Sequence, residues 1–300
     1  QVRNRVLSLL LLLPLLLVAC EEEGPDIRLN PPDDPESPAD TTFSDSLNKL
    51  TDTTFVATND TTAQPKRLLV EDFTAVRCNN CPKAANVIKA LKASYGDTVI
   101  ALGIHCNRNF SRPYEESKEN YSLEKGQNIY EWFGRPRQPS GMLDRHAFPN
   151  KDEVVLSYQS WESLAPQRLD QKPGVNLYLQ KNLSREAQKV RVTVRSRFLE
   201  PVSGTVFLSL MITEDNIEDV QLGPDQKRPD YEHNHVVRHI QTPARGLALT
   251  DNPAKGRVVI RTFTMPVKDK WKLPDLNIVA FAHRKNPKGP VLQTQKISVD

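Results

Sequence analysis

Residues 68–82 read LLVEDFTAVRCNNCP, an apolar run that leads into two cysteines, Cys78 and Cys81. The run has strand length and is rich in Leu, Val and Phe, which predicts a strand inside a sheet. Residues 84–93, AANVIKALKA, then place apolar side chains at helical spacing. Strand, tight turn and helix together put both cysteines in the first helical turn, where unpaired backbone N–H groups and the helix field favour a thiolate. Pro82 suits that turn because it lacks a donor the turn leaves unused. The expectation is one exposed thiol and one recessed thiol able to resolve a mixed disulfide. A local disulfide that merely closes the helix start fits the same spacing. A zinc site is disfavoured, because no second paired cysteine motif follows.

Residues 72–78, DFTAVRC, are similar to the strand and active-site approach of thioredoxins. The resemblance implies that Cys78 is the attacking thiol and that Asp72 is the buried acid relaying a proton to the recessed Cys81. Two departures stand out: Arg77 occupies the usual Trp position, and Asn79-Asn80 replaces Gly-Pro. Arg77 is expected to hold a thiolate by charge. Residues 138–145, QPSGMLDR, look like the cis-proline loop of that fold, which implies a cis Pro139 whose neighbouring backbone can pair with an extended peptide. The alternative is a plain Pro-Ser-Gly turn. Residues 114–133 read as helical material inserted between core strands, 153–158 as an edge strand and 161–169 as a closing helix. Cys106 follows the apolar run 99–105 and should end the neighbouring strand, either as an inert buried thiol or as an exchange partner of the pair.

At the start, Arg3 and Arg5 precede an apolar run over 7–19 that contains Pro14 and ends at Cys20. The run is too short to span a bilayer as a helix. Leu17-Val18-Ala19-Cys20 looks like the lipobox of bacterial lipoproteins, which implies cleavage before Cys20 and acylation there, with palmitate as the expected kind of chain. More than one acyl chain anchors persistently where a single one does not. A secretory leader with an accidental cysteine is the alternative. Gln1 in place of Met implies that one or more residues precede it.

Residues 21–65 carry eleven acidic residues against Arg28 and Lys49 and little continuous hydrophobicity, so a disordered acidic tether is expected. The body beyond is basic, and the overall net charge of +3 conceals the split. Glu21-Glu22-Glu23 resembles the export signal of surface lipoproteins in the Bacteroidetes group, which implies display on the cell-surface side of the outer membrane; an ordinary solvated linker is the alternative. The Lys and Arg residues of the body are spread through both halves with no reading helix or paired zinc motif, which argues against a nucleic-acid partner. An exported location permits persistent disulfides.

From residue 175 onward strand patterns dominate, over 175–179, 190–198, 204–213, 257–264, 276–282 and 291–297. Val190, Val192 and Val194 alternate with Arg191, Thr193 and Arg195, one face buried and one wet. The pattern predicts an antiparallel sandwich of immunoglobulin- or fibronectin-like layout, without an immunoglobulin disulfide signature. The string 231–238, YEHNHVVR, is read as a hydrogen-bonded loop or interface. Metal ligation by His233 and His235 is the alternative, at a spacing too loose to name a metal.

Taken together, the leader cysteine, the Cys78-x-x-Cys81-Pro82 segment, the 138–145 loop and the 231–238 string resemble the Omp28-related outer membrane lipoproteins. The expected organisation is a signal peptide (1–19), a lipidated acidic tether (20–65), an α/β thioredoxin-like domain (66–172) and an all-β immunoglobulin/fibronectin-like sandwich (173–300). The function expected first is a lipid-anchored outer membrane accessory or scaffold protein that binds envelope proteins, held to lipid through acylated Cys20. The alternative is a thiol–disulfide oxidoreductase or isomerase acting on exported proteins through Cys78 and Cys81, with Asp72 and Pro139 in support. Neither reading calls for a cofactor or a metal.

Overall fold

The apolar run 68–74 becomes β2 (Leu68–Thr74), which follows a short β1 (Thr53–Val56). The computed structural model describes residues 53–57, 62–149, 153–284 and 289–300. Every β2 residue except Thr74 is buried, as expected of a strand covered on both faces. Helix α1 (Cys81–Tyr95) carries the chain to β3 (Val99–His105), which lies parallel to β2 with Leu68 opposite Val99. After α2 (Glu124–Trp132), β4 (Ser140–Leu143) runs antiparallel to β2, and the two-residue β5 (Leu156–Ser157) forms the edge before α3 (Trp161–Leu169).

The period of two along the strands sorts the core. Leu68 and Val70 pack with Ile88 and Leu91 of α1 and Trp161 and Ala165 of α3, whereas Leu69 and Phe73 pack with Ile129, Tyr130 and Phe133 on the other face. Gly141 in β4 sits where the sheet meets α3. A Cβ there would run into the Glu71 carbonyl and lie 2.8 Å from the Trp161 ring, itself fully buried. Gly141→Ala should therefore destabilise the fold by about 1–3 kcal/mol, the usual cost of overpacking a tight core. Urea unfolding at neutral pH checks it, and an unchanged midpoint would show that this contact relaxes freely.

The second half supplies β6 (Val175–Ser184), β7 (Lys189–Phe198), β8 (Thr205–Glu214), β9 (Ile217–Leu222), β10 (Lys227–His233), β11 (Val236–Ile240), β12 (Leu247–Asp251), β13 (Arg257–Pro266), β14 (Leu276–Arg284) and β15 (Val291–Ser298). A four-stranded sheet of order β1-β13-β7-β6 packs against β8 and β14. Val190, Val192 and Val194 face inward toward Leu208, Leu210, Ile278 and Ala280. The alternate residues of β14, Val279 and Phe281, join the core beneath α2. The result is an α/β portion and a β-sandwich.

The two halves are not separate sheets. Val236 of β11 pairs in parallel with Gly103 of β3, so one nine-stranded sheet runs β15-β14-β8-β11-β3-β2-β4-β5, with β12 beside β8. The described residues all belong to one unit, Ala39–Asp300.

Several expectations need correction. Thr53–Val56 is not disordered tether: its β-branched and aromatic residues pair with β13, Thr53 opposite Ile260. Gln64 likewise hydrogen-bonds Asn176 and Leu177. The insert 114–133 is helical only over Glu124–Trp132. Strands β9 to β12 lacked a clean apolar alternation and went unforeseen; β10 is mostly exposed and contains Pro229. The leader and the lipidation expected at Cys20 lie outside the described residues. Among the described residues no helix is long and apolar enough to cross a membrane.

Candidate functional site

The chain leaves β2 through a turn and enters α1 at Cys81, with Asn80 as N-cap and Pro82 in the first turn. Cys78 and Cys81 form a disulfide, S–S 2.07 Å, with Cα atoms 5.4 Å apart. Cys81 is thus in the first helical turn, whereas Cys78 precedes it in the turn that its own N–H closes onto Ala75 O at 3.1 Å. The expectation of an exposed thiol is not met. Cys78 is 4% and Cys81 2% exposed.

The cover comes from far along the chain. Gln221 of β9 donates from Nε2 to Cys78 O at 3.0 Å and to Ala75 O at 3.2 Å, and Leu222 N donates to Val76 O at 2.8 Å. Arg77 does not serve the thiols as expected. Its guanidinium donates to Arg112 O (2.6 Å) and Pro113 O (2.8 Å) and lies over the Tyr114 ring. A short loop with free carbonyls competes successfully for the cation.

The Gln138–Pro139 bond is cis. Ser140 pairs with Phe73, and Gln138 Nε2 donates to Thr74 O at 2.9 Å, so the proline loop lies at the same end of β2 from which the cysteine turn departs. Cys106 is there too, its N–H on Thr74 O at 3.1 Å. It is a free, fully buried thiol, pushed well up by burial and then by nearby Asp72, with Gln138 contacting its Sγ at 3.4 Å. That is an inert state, since the thiolate is the reactive form.

Asp72 is 4% exposed, and its Oδ1 has no hydrogen-bond partner among the described residues. Burial pushes its carboxyl up to about 8. Asp72 and Cys81 line one cavity of about 500 Å³ together with His105, Gln221, Tyr231 and His233. His105 is buried, neither ring nitrogen having a hydrogen-bond partner among the described residues, and burial, followed by the neighbouring His233, pushes it down to about 3. Burial likewise lowers His233 to about 4, so both imidazoles are neutral at pH 7.

The 231–238 string is the end of β10, a turn and the start of β11. His235 adopts φ +58° in that turn, its carbonyl accepts from Gly103 N at 2.7 Å and its Nδ1 pairs with Asp215 at 2.7 Å. His233 instead faces Tyr121 and His105. The string is a joint between the halves, hydrogen-bonded as expected, and both histidines line the cavity. Among the described residues no group of three or more His, Cys, Asp or Glu is placed to hold a metal. Sequence reasoning missed His105 and Gln221 at the site; for His105 the signal was a polar residue closing an apolar strand, and Gln221 carried none.

A disulfide at a strand-to-helix turn, a buried acid behind it and a sandwich fused through a common sheet define an α/β–β protein with a closely spaced cysteine pair. Residues 127–300 match the family described as outer membrane protein Omp28, and the chain belongs to that family. Family membership supports an outer-membrane location. The cysteine pair lies outside the matched stretch. Among solved structures, HBP35 of Porphyromonas gingivalis is similar, with TM-score 0.61 at 18% identity, covering 79% of this chain and 76% of that one. A protein of Agrobacterium tumefaciens gives TM-score 0.50 at 13% identity, covering 80% and 97%. A domain of the outer membrane lipoprotein Omp28 from P. gingivalis gives 0.31 at 16% identity, covering 43% and 89%. No curated protein matches the sequence significantly.

Proposed function

We propose that the chain is a thiol–disulfide oxidoreductase of the outer membrane that acts on exported proteins through Cys78 and Cys81, in a thioredoxin-like module. The observation that carries this reading is the Cys78–Cys81 disulfide at the start of α1 with a buried Asp72, its Oδ1 without a partner among the described residues, on the same cavity as Cys81. A purely structural staple needs no such acid, because an isolated buried carboxyl costs free energy. In the reduced chain, Cys78 thiolate attacks a target disulfide and forms a mixed disulfide, releasing one target thiolate. Asp72 carboxylate takes the proton of Cys81, whose thiolate attacks Cys78 Sγ, releases the second target thiolate and leaves the chain oxidised. An acid near 8 is matched to that task at neutral pH. Pro139 stands at the same sheet end, where its backbone would meet an extended target. Lipid anchorage through Cys20 belongs to this proposal as the device that holds the enzyme at the membrane.

The scaffold reading accounts for the sandwich and takes the cysteine pair as a local staple, but it gives Asp72 no role. Cys81→Ser should accumulate mixed disulfides between Cys78 and envelope proteins, seen as adducts on non-reducing gels that collapse with reductant. Cys78→Ser/Cys81→Ser should give none. Recovering no adduct from Cys81→Ser, with envelope function unchanged in the double variant, would defeat the enzyme and return the scaffold.

A further inference from the structure

The disulfide presents its two sulfurs to different surroundings. On the Cys78 side, β9 of the second half is hydrogen-bonded to the backbone of the turn, through Gln221 on the Cys78 and Ala75 carbonyls and Leu222 on Val76. Of the two cysteines, Cys81 is the one that lines the cavity. At about 500 Å³ that cavity lies within the range of small-molecule sites, roughly 300–1,000 Å³. A folded protein substrate cannot enter it.

Its wall holds polar groups without a partner among the described residues. Both ring nitrogens of His105 and Oδ1 of Asp72 are buried without hydrogen-bond partners among the described residues. Buried polar atoms are otherwise almost always paired, so these point to an occupant that brings donors and acceptors. Lys89, Lys92 and Arg228 stand on the same lining. Asp215, paired with His235, and Glu232, which accepts from Asn234, stand there too and keep their charges. With Asp72 protonated at pH 7, three cations face two anions, a surplus of one positive charge.

We propose that this cavity admits an anionic low-molecular-weight thiol that exchanges with the disulfide at Cys81, while protein targets exchange at Cys78. The inference rests on the redox function proposed above and names the small reductant class for the same disulfide. The thiolate RS⁻ attacks Cys81 Sγ, forming an S–S bond to Cys81 and breaking Cys78–Cys81, with Cys78 leaving as thiolate. A second RS⁻ attacks the sulfur of the bound R group, releasing RSSR and Cys81 thiolate; the two proton equivalents given up by the small thiols end on the cysteines. Two thiols are oxidised to one disulfide and the protein disulfide is reduced to a dithiol. His105 and Asp72 bind polar groups of the ligand, and Lys89 and Lys92 select its charge.

The test uses the full oxidised chain with glutathione as the anionic probe, 2-mercaptoethanol as the neutral one and cysteamine as the cationic one, compared at equal thiolate concentration. Acid-quenched intermediates are mapped by peptide mass spectrometry, which also separates Cys106 adducts. Glutathione should react about tenfold faster than cysteamine, with its adduct on Cys81, and Lys89→Glu/Lys92→Glu, at one exposed and one half-buried position of α1, should reverse that preference. An adduct on Cys78, or equal rates for all three probes in both proteins, would overturn it. Dithiothreitol separates the two proposals. If the three probes give that overturning result while dithiothreitol reduces the native disulfide and Cys81→Ser still traps proteins, only the small-thiol entrance fails. If the native disulfide resists it entirely, the redox function fails as well.

Discussion

Arg145→Met should destabilise the protein by about 3–5 kcal/mol, the cost of leaving one buried charge without its partner. Arg145 and Glu71 are both fully buried and meet through two parallel bonds of 2.7 Å, Nε to Oε2 and Nη2 to Oε1. The guanidinium also lies 5.0 Å from the Phe281 ring and 5.4 Å from Phe133, so it joins the α/β layer to a strand of the second half. Removing the cation strands the Glu71 carboxylate beneath the sheet. Glu71→Leu/Arg145→Met should recover most of the loss, because an apolar pair of similar volume suffers no desolvation. A double-mutant cycle by urea denaturation measures the coupling. A loss below about 1 kcal/mol for the single variant would mean that water reaches Glu71.

Asp72→Asn should do the opposite, and only at higher pH. The folded carboxyl sits at about 8 against an ordinary value of 3.8, so between those limits the native state holds the proton more tightly than the unfolded chain. Wild-type stability must therefore fall as pH rises from about 4 to about 8 and level off above. At about 1.4 kcal/mol per unit the accumulated penalty is on the order of several kcal/mol. The asparagine variant does not titrate, so its advantage should be near zero at pH 4 and largest at pH 8–9. The same substitution should slow disulfide exchange, since the proton acceptor for Cys81 is gone. A residue that costs stability and supports turnover is the expected signature of a working site. Parallel stability curves for the two proteins across pH 4–9 would show that Asp72 is not held neutral by the fold.

The local parts of this protein were legible. The run 68–74 read as a buried strand because both its faces are apolar, and α1 followed because its apolar residues recur at helical spacing and Pro82 fits the first turn. The sandwich strands carrying Val190, Val192 and Val194 were visible because a two-residue period maps directly onto one buried face. The proline loop was legible by resemblance, and its cis bond followed. Strands β9 and β10 were not: β10 is mostly exposed, and β9 buries Asp219 and Gln221 beside its apolar residues, so neither leaves an apolar period in the sequence.

The sequence by itself determined the elements with a clear apolar period and the cysteine pair, since propensity, period and turn chemistry act over a few neighbouring residues. Only the tertiary structure decided that Gln221 would cover Cys78 across 143 positions, that Arg77 would turn to the 112–113 carbonyls, and that Asp72 and His105 would be left unpaired around one cavity. Burial, and with it the carboxyl near 8, depends on which distant strands exclude water. The common sheet of the two halves has the same origin: the β11–β3 pairing uses backbone groups that every sequence carries, and only the packed fold brings those two edges together.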